Sequence, residues 1–119
     1  MTTAEVARAL YRAYAENDLS RAEQLVAPDF RFTSPLDNQL DRATFFERCW
    51  PNGRFTGFDL VDVASQGDRV FVVYESTKSD GGRLRNTEIL TVRDDVVHAV
   101  EVYFGWSLPH DAAPGNWTT

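Results

Sequence analysis

Apolar residues repeat along this chain with two different periods. In the first quarter they recur at helical spacing. Thr2 and Glu5 form a T-x-x-E capping box, after which Val6, Leu10, Ala13 and Tyr14 trace one face of a helix. Asn17-Asp18 interrupts it, and Asp18 can cap a second helix through Leu19, Ala22, Leu25 and Val26, ended by Pro28. Phe30 and Phe32 then alternate with Arg31 and Thr33 in a short strand that reaches Ser34-Pro35. Asp41 is placed to cap a third helix, DRATFFERCW, which Pro51 stops.

From Phe58 onward the period drops to two. LVDVASQ, RVFVVYESTK, RLRNTEILTVR and VVHAVEVYF are β-rich runs separated by short links rich in Gly, Ser and Asp, which predicts a consecutive antiparallel meander. Helices first and a long sheet afterwards make an α+β fold. Helices this short cover one face of such a sheet only in part, so a curved sheet with a cavity between the layers is expected. The predicted organisation is one domain over residues 1–106 followed by an irregular tail at 107–119.

The run RNTEILTV carries the chemistry. Asn86 and Glu88 fall on the strand face that also holds Leu84, Leu90 and Val92, the face expected to be dry. A carboxylate there either raises its pKa or gathers partners, and both outcomes suit general acid/base work. Asn86 either orients a ligand carbonyl or satisfies a backbone group. The residues facing Glu88 across the last hairpin depend on loop length, because a one-residue slip turns every side chain over. A two-residue Asp94-Asp95 turn would set Glu101 against Glu88. A three-residue loop from Arg93 would bring Val100, Val102 and His98 to that face. Asp-Asp is a poor pair for a two-residue turn, so the longer loop is expected, with His98 near the pocket and Glu101 outside.

Composition narrows the partners. The chain has 119 residues and a net charge of −6, and its 12 basic residues form no run, which argues against nucleic acid and anionic membranes. No stretch is long and apolar enough to span a bilayer, and MTTAEVARAL has neither a basic start nor a signal core, so a cytoplasmic protein is expected. The single cysteine, Cys49, fits a reducing compartment and reads as a structural thiol beside Phe45, Phe46 and Trp50. Two histidines without metal-ligand spacing, and no Gly-rich phosphate loop, imply neither metal nor organic cofactor.

The strings NDLSRAEQLVAPDFRF, FTSPLD, NTEILTVRDD and EVYFGW, in this order, resemble the nuclear transport factor 2-like superfamily, within it the SnoaL-like polyketide cyclases and ketosteroid isomerases. The resemblance runs from about Ala4 to Trp106. It implies a cone-shaped half-barrel in which a curved, mainly antiparallel sheet wraps about three N-terminal helices. It further implies an apolar small-molecule ligand at the open end and a homodimer through the outer sheet face. Glu88 falls at the position where both groups of relatives place a functional cavity carboxyl. Leu10 falls where the isomerases carry a tyrosine, leaving Tyr14 as the nearest substitute. Ser34 stands where they carry an aspartate, and Val102 where other relatives carry an acid. Tyr74 and Ser76 occupy positions that relatives fill with arginine and aspartate, and the resemblance turns both toward the cavity.

Two functions follow as expectations. One is a cofactor-independent isomerase, cyclase or dehydratase in which Glu88 transfers a proton. Asn86, Tyr14, Ser34, Trp50, Tyr74, Ser76 and His98 would then line the substrate. The other is a non-catalytic small-molecule-binding or dimerisation module of the same fold, which the missing tyrosine and aspartate favour.

Overall fold

The capping box at the N-terminus is closed on both sides. Thr2 Oγ1 accepts from the Glu5 N–H at 3.1 Å, while Glu5 Oε1 accepts from the Thr2 N–H at 2.8 Å. From there α1 runs over Thr3–Glu16 and ends at Asn17 in the left-handed conformation (φ 54). The computed structural model describes residues 1–117, so the last two positions of the expected tail lie outside it. Asp18 caps α2 (Leu19–Leu25) and Asp41 caps α3 (Arg42–Arg48), each through a backbone N–H three residues on.

The remaining chain forms β1 (Val26–Ser34), β2 (Asp37–Asp41), β3 (Phe55–Gln66), β4 (Arg69–Lys78), β5 (Arg83–Arg93) and β6 (Val96–Leu108). The order across the sheet is β2-β1-β6-β5-β4-β3. Only the β1–β6 pairing is parallel. The sheet is curved and unclosed, and the three helices lie in its hollow. Among the described residues no helix is long and apolar enough to cross a membrane.

Three differences from the sequence reading have physical causes. The second helix stops at Leu25 rather than at Pro28, because Val26 already pairs with Val97 and both are buried. β2 escaped notice because it is a polar edge strand with no alternating apolar signal. β6 continues to Leu108, past the expected start of the tail, and the described residues beyond it form only turn and coil.

The last hairpin corrects the loop expectation. Asp94 (φ 55) and Asp95 (φ 62) both sit in the left-handed region, and Arg93 pairs with Val96, so the turn has two residues. The facing expected from a longer loop nevertheless holds for Val100 and Val102, because β6 carries an extra residue. Val92 pairs with Val97 but Thr91 pairs with Ala99, which leaves His98 as a β-bulge. Beyond the bulge Val100 faces Leu90 and Val102 faces Glu88, while Glu101 lies outside and exposed. A second bulge at Gly105 follows, between the pairs Asn86–Phe104 and Arg85–Trp106.

The core lies between α1 and the inner face of β4, β5 and β6. Val6, Leu10, Val70, Val72, Leu90 and Val97 are all at most 1% exposed. Each fully buried aliphatic side chain contributes roughly 1.5–3 kcal/mol. Tyr11 and Tyr14 belong to the same helix stripe and carry their rings into the hollow.

Candidate functional site

Along β5 the inner row is Leu84, Asn86, Glu88, Leu90 and Val92, and Glu88 is the one charged residue among the buried side chains described. It is 8% exposed. Its partners across the sheet are Val72 on β4 and Val102 on β6, so apolar walls flank the carboxyl. An unpartnered carboxylate in this position would be expelled or protonated. Here two phenols meet it instead.

Tyr11 Oη donates to Glu88 Oε1 at 2.7 Å, and Tyr74 Oη donates to Oε2 at 2.6 Å. Behind Tyr74, Asn86 Nδ2 donates to its hydroxyl at 3.2 Å. Asn86 Oδ1 in turn accepts from the Gly105 N–H at 3.1 Å. Burial pushes the Glu88 pKa up from its ordinary value, while the two phenols pull against that shift by stabilising the anion. Burial, reinforced by the nearby carboxylate, raises both phenol pKa values, so Tyr11 and Tyr74 stay neutral donors.

Aromatic rings fill the rest of the hollow. Tyr11 lies 5.4 Å from Tyr74 and 5.7 Å from Tyr14, ring centroid to centroid, and Phe58 packs within 6 Å of all three. Trp50 closes against Tyr14 at 5.7 Å. The acid is approached through its partners. Tyr11 lines a surface pocket of about 270 Å³ between α1 and β3, and Asn86 lines one of about 210 Å³ with Leu84 and Phe104.

The expected site residues separate into two groups. Glu88, Tyr74 and Asn86 are brought into one hydrogen-bonded chain, and Tyr14 and Trp50 stand beside it in the aromatic wall. Tyr14 bonds no protein group through its hydroxyl among the described residues. Ser76 is fully buried on the Tyr74 face and its Oγ has no partner among the described residues. Ser34 is half-buried at the end of β1, where its Oγ accepts from the Leu36 N–H of its own turn. His98 does not reach the acid, contrary to expectation. The bulge directs it outward, where Nδ1 lies 2.9 Å from Asp29 Oδ1.

Tyr11 was absent from the expected set. The expectation took Leu10 for the position of the relatives' tyrosine and offered Tyr14 as the nearest substitute. The spacing Ala7, Tyr11, Tyr14 on the buried stripe was the available signal, since positions four and three apart share a helix face. Cys49 is half-buried and burial raises its thiol pKa, which suits a structural thiol.

This arrangement can hold and release a proton. A carboxyl whose pKa is lifted by burial exchanges its proton nearer to neutral pH, and two fixed phenols hold it in one orientation.

The sequence profile described as the SnoaL-like domain matches residues 7–100. No curated protein matches the chain. Among solved structures, similarity extends to an NTF2-like protein of unknown function from Cytophaga hutchinsonii, at 14% identity and TM-score 0.77, covering 88% of this chain and 91% of that one. A proposed ketosteroid isomerase from Kribbella flavida matches at 17% identity and TM-score 0.76, covering 98% and 87%. A proposed polyketide cyclase from Sinorhizobium meliloti matches at 15% identity and TM-score 0.70, covering 86% and 99%. At these identities the likeness is one of fold.

Proposed function

This chain belongs to the SnoaL-like domain family, and from that premise we propose that it is a cofactor-independent enzyme of the isomerase, cyclase or dehydratase kind. Its substrate is an apolar, carbonyl-bearing small molecule that enters the aromatic hollow. Glu88 removes and returns the proton. Tyr11 and Tyr74 hold the carboxyl with their single hydroxyl protons, and the Tyr14 hydroxyl is the donor for the oxygen on which charge develops. Tyr14 and Trp50 supply flat apolar walls, and the unpartnered Ser76 hydroxyl suits a second polar atom of the ligand.

One observation carries this reading: a buried carboxyl with a phenol on each oxygen. A purely structural interior would be served by an apolar residue at that point, since burying an acid costs free energy that its hydrogen bonds only partly offset. The test is exchange of the α-protons of 2-tetralone in deuterated buffer, followed by proton NMR. Wild-type protein should accelerate exchange over buffer, and Glu88→Gln should lose about 100-fold or more of that acceleration. Exchange at the buffer rate with 2-tetralone demonstrably bound would refute the enzyme.

The second reading, a binding or dimerisation module, is favoured by the rings that already occupy the hollow. On the outer sheet face, half-buried Phe71 and Ile89 are paired, and Val73 pairs with Thr87, which pairs in turn with the exposed Tyr103. A second copy of the chain would cover this apolar strip in a homodimer. Sedimentation velocity should then give a dimer, and Ile89→Asp should give a folded monomer.

A further inference from the structure

We infer that Asn86 is a positioning residue, anchored by the β-bulge at Gly105, that fixes the direction of the hydrogen bonds arriving at Glu88. The argument begins with the backbone. An N–H can only donate, so the amide face turned to Gly105 must be the Asn86 carbonyl oxygen. That leaves the Asn86 NH₂ facing Tyr74, where it can only donate. With one lone pair of its oxygen engaged, the Tyr74 hydroxyl proton is directed to Glu88 Oε2, an acceptor. Each link sets the next: bulge, amide, phenol, acid.

The anchor is itself specified by sequence. A Cβ at residue 105 would run into the Arg85 carbonyl oxygen, so glycine allows the close approach of the bulge to β5. Both partners that Asn86 needs lie on the neighbouring strands, the Tyr74 phenol directly opposite on β4 and the Gly105 N–H at the bulge of β6. Among the described residues Tyr11 has no corresponding donor behind its hydroxyl, so the two phenols are not equivalent. Tyr74 is directed to the acid by Asn86, and Tyr11 is held by its packing on the buried stripe. The titratable groups facing Glu88 are Tyr11 and Tyr14 from α1 and Tyr74 from β4, while β6 presents Val102. Among the described residues no other charged side chain competes for the phenol protons.

This inference deepens the proposed acid–base role, but its test reads Glu88 without turnover. In full-length protein carrying ¹³C at the Glu side-chain carboxyls, the Glu88 resonance is titrated by NMR. Asn86→Asp keeps an acceptor for the Gly105 N–H but turns a second acceptor to Tyr74, drawing its proton away from Glu88. The Glu88 midpoint should rise by about one pH unit or more. In a Tyr74→Phe background the same substitution should shift the midpoint by less than about half as much, because the phenol that carries the effect is gone. Equal shifts in both backgrounds would mean that the new charge acts alone and would overturn the inference. Wild-type protein supplies a second measurement should a variant not fold. One Asn86 side-chain amide proton should exchange slowly and follow the Glu88 titration; if both exchange at solvent rates and ignore it, the inference fails. Failure of the 2-tetralone exchange would leave these readouts intact.

Discussion

Tyr11 Oη lies 2.7 Å from Glu88 Oε1, a buried hydrogen bond that ties α1 to the sheet. The helix stripe that carries Tyr11 is otherwise apolar. Its seat against the sheet therefore depends on packing for strength and, among buried hydrogen bonds, on this one for registry. Moving α1 by a fraction of a turn would leave a carboxylate oxygen facing hydrocarbon.

Tyr11→Phe should cost about 1.5–3 kcal/mol at pH 8, because a buried anion loses a charge-assisted donor. Tyr14→Phe removes a hydroxyl that bonds no protein group and should change stability by less than about 0.5 kcal/mol. Urea unfolding of the two variants decides it, and equal losses would contradict the assignment of Tyr11 as the partner.

Glu88→Gln should gain on wild type as pH rises. The folded Glu88 pKa is raised above its ordinary value of 4.5, chiefly by burial. Its favourable contribution is therefore complete below the unfolded value and is lost as pH rises through the folded one. Glutamine does not titrate, so the stability difference should grow by up to about 1.4 kcal/mol per pH unit inside that window and then level off. Unfolding at pH 4, 6 and 8 measures this. A difference that stays constant would place the Glu88 pKa at its unfolded value.

The Asp94-Asp95 turn is open to improvement. Both residues hold positive φ, which Asn-Gly adopts with less strain. Replacing the pair by Asn-Gly should add roughly 1 kcal/mol. The Met1 ammonium loses its 3.2 Å contact with Asp95 in the exchange, but an exposed pair of this kind contributes about 0–1 kcal/mol. A thermal melt should show the gain, and a lowered midpoint would argue that the N-terminal contact matters more than the turn.

Gly105→Ala should cost about 1–3 kcal/mol, since the added methyl meets backbone rather than a side chain that can move. The loss should be accompanied by faster exchange of the residue 105 amide proton as its bond to Asn86 loosens. An unchanged melt would show that the bulge can open at little cost.

Much of this fold is legible from periodicity alone. The capping box, the Asp18 and Asp41 caps and the four long strands follow from local chemistry that tertiary structure reinforces. The inward turn of Glu88 was readable from Leu84, Leu90 and Val92 on the same face. Tyr11 was readable from its place on the buried stripe, a signal that the likeness to relatives did not single out. The bulge at His98 has no sequence signal, since an extra residue in a strand is visible only against its partner. The expected inward facing of Val100 and Val102 emerged by a different route, through a shorter turn and a bulge that turns the strand over. Ser34 could not be judged from sequence because its hydroxyl serves a turn whose geometry is set by β2, itself too polar to read as a strand.

The bulge at His98 also determines how many acids the hollow contains. With His98 drawn into the ladder opposite Thr91, the hairpin would continue in the register of its turn, and Glu101 rather than Val102 would stand opposite Glu88. Closing the bulge in this way would convert a lone buried carboxyl into a facing pair competing for a proton, a different kind of site on the same scaffold. The spacing between a turn and a bulge, rather than any change of side chain, keeps this interior singly acidic.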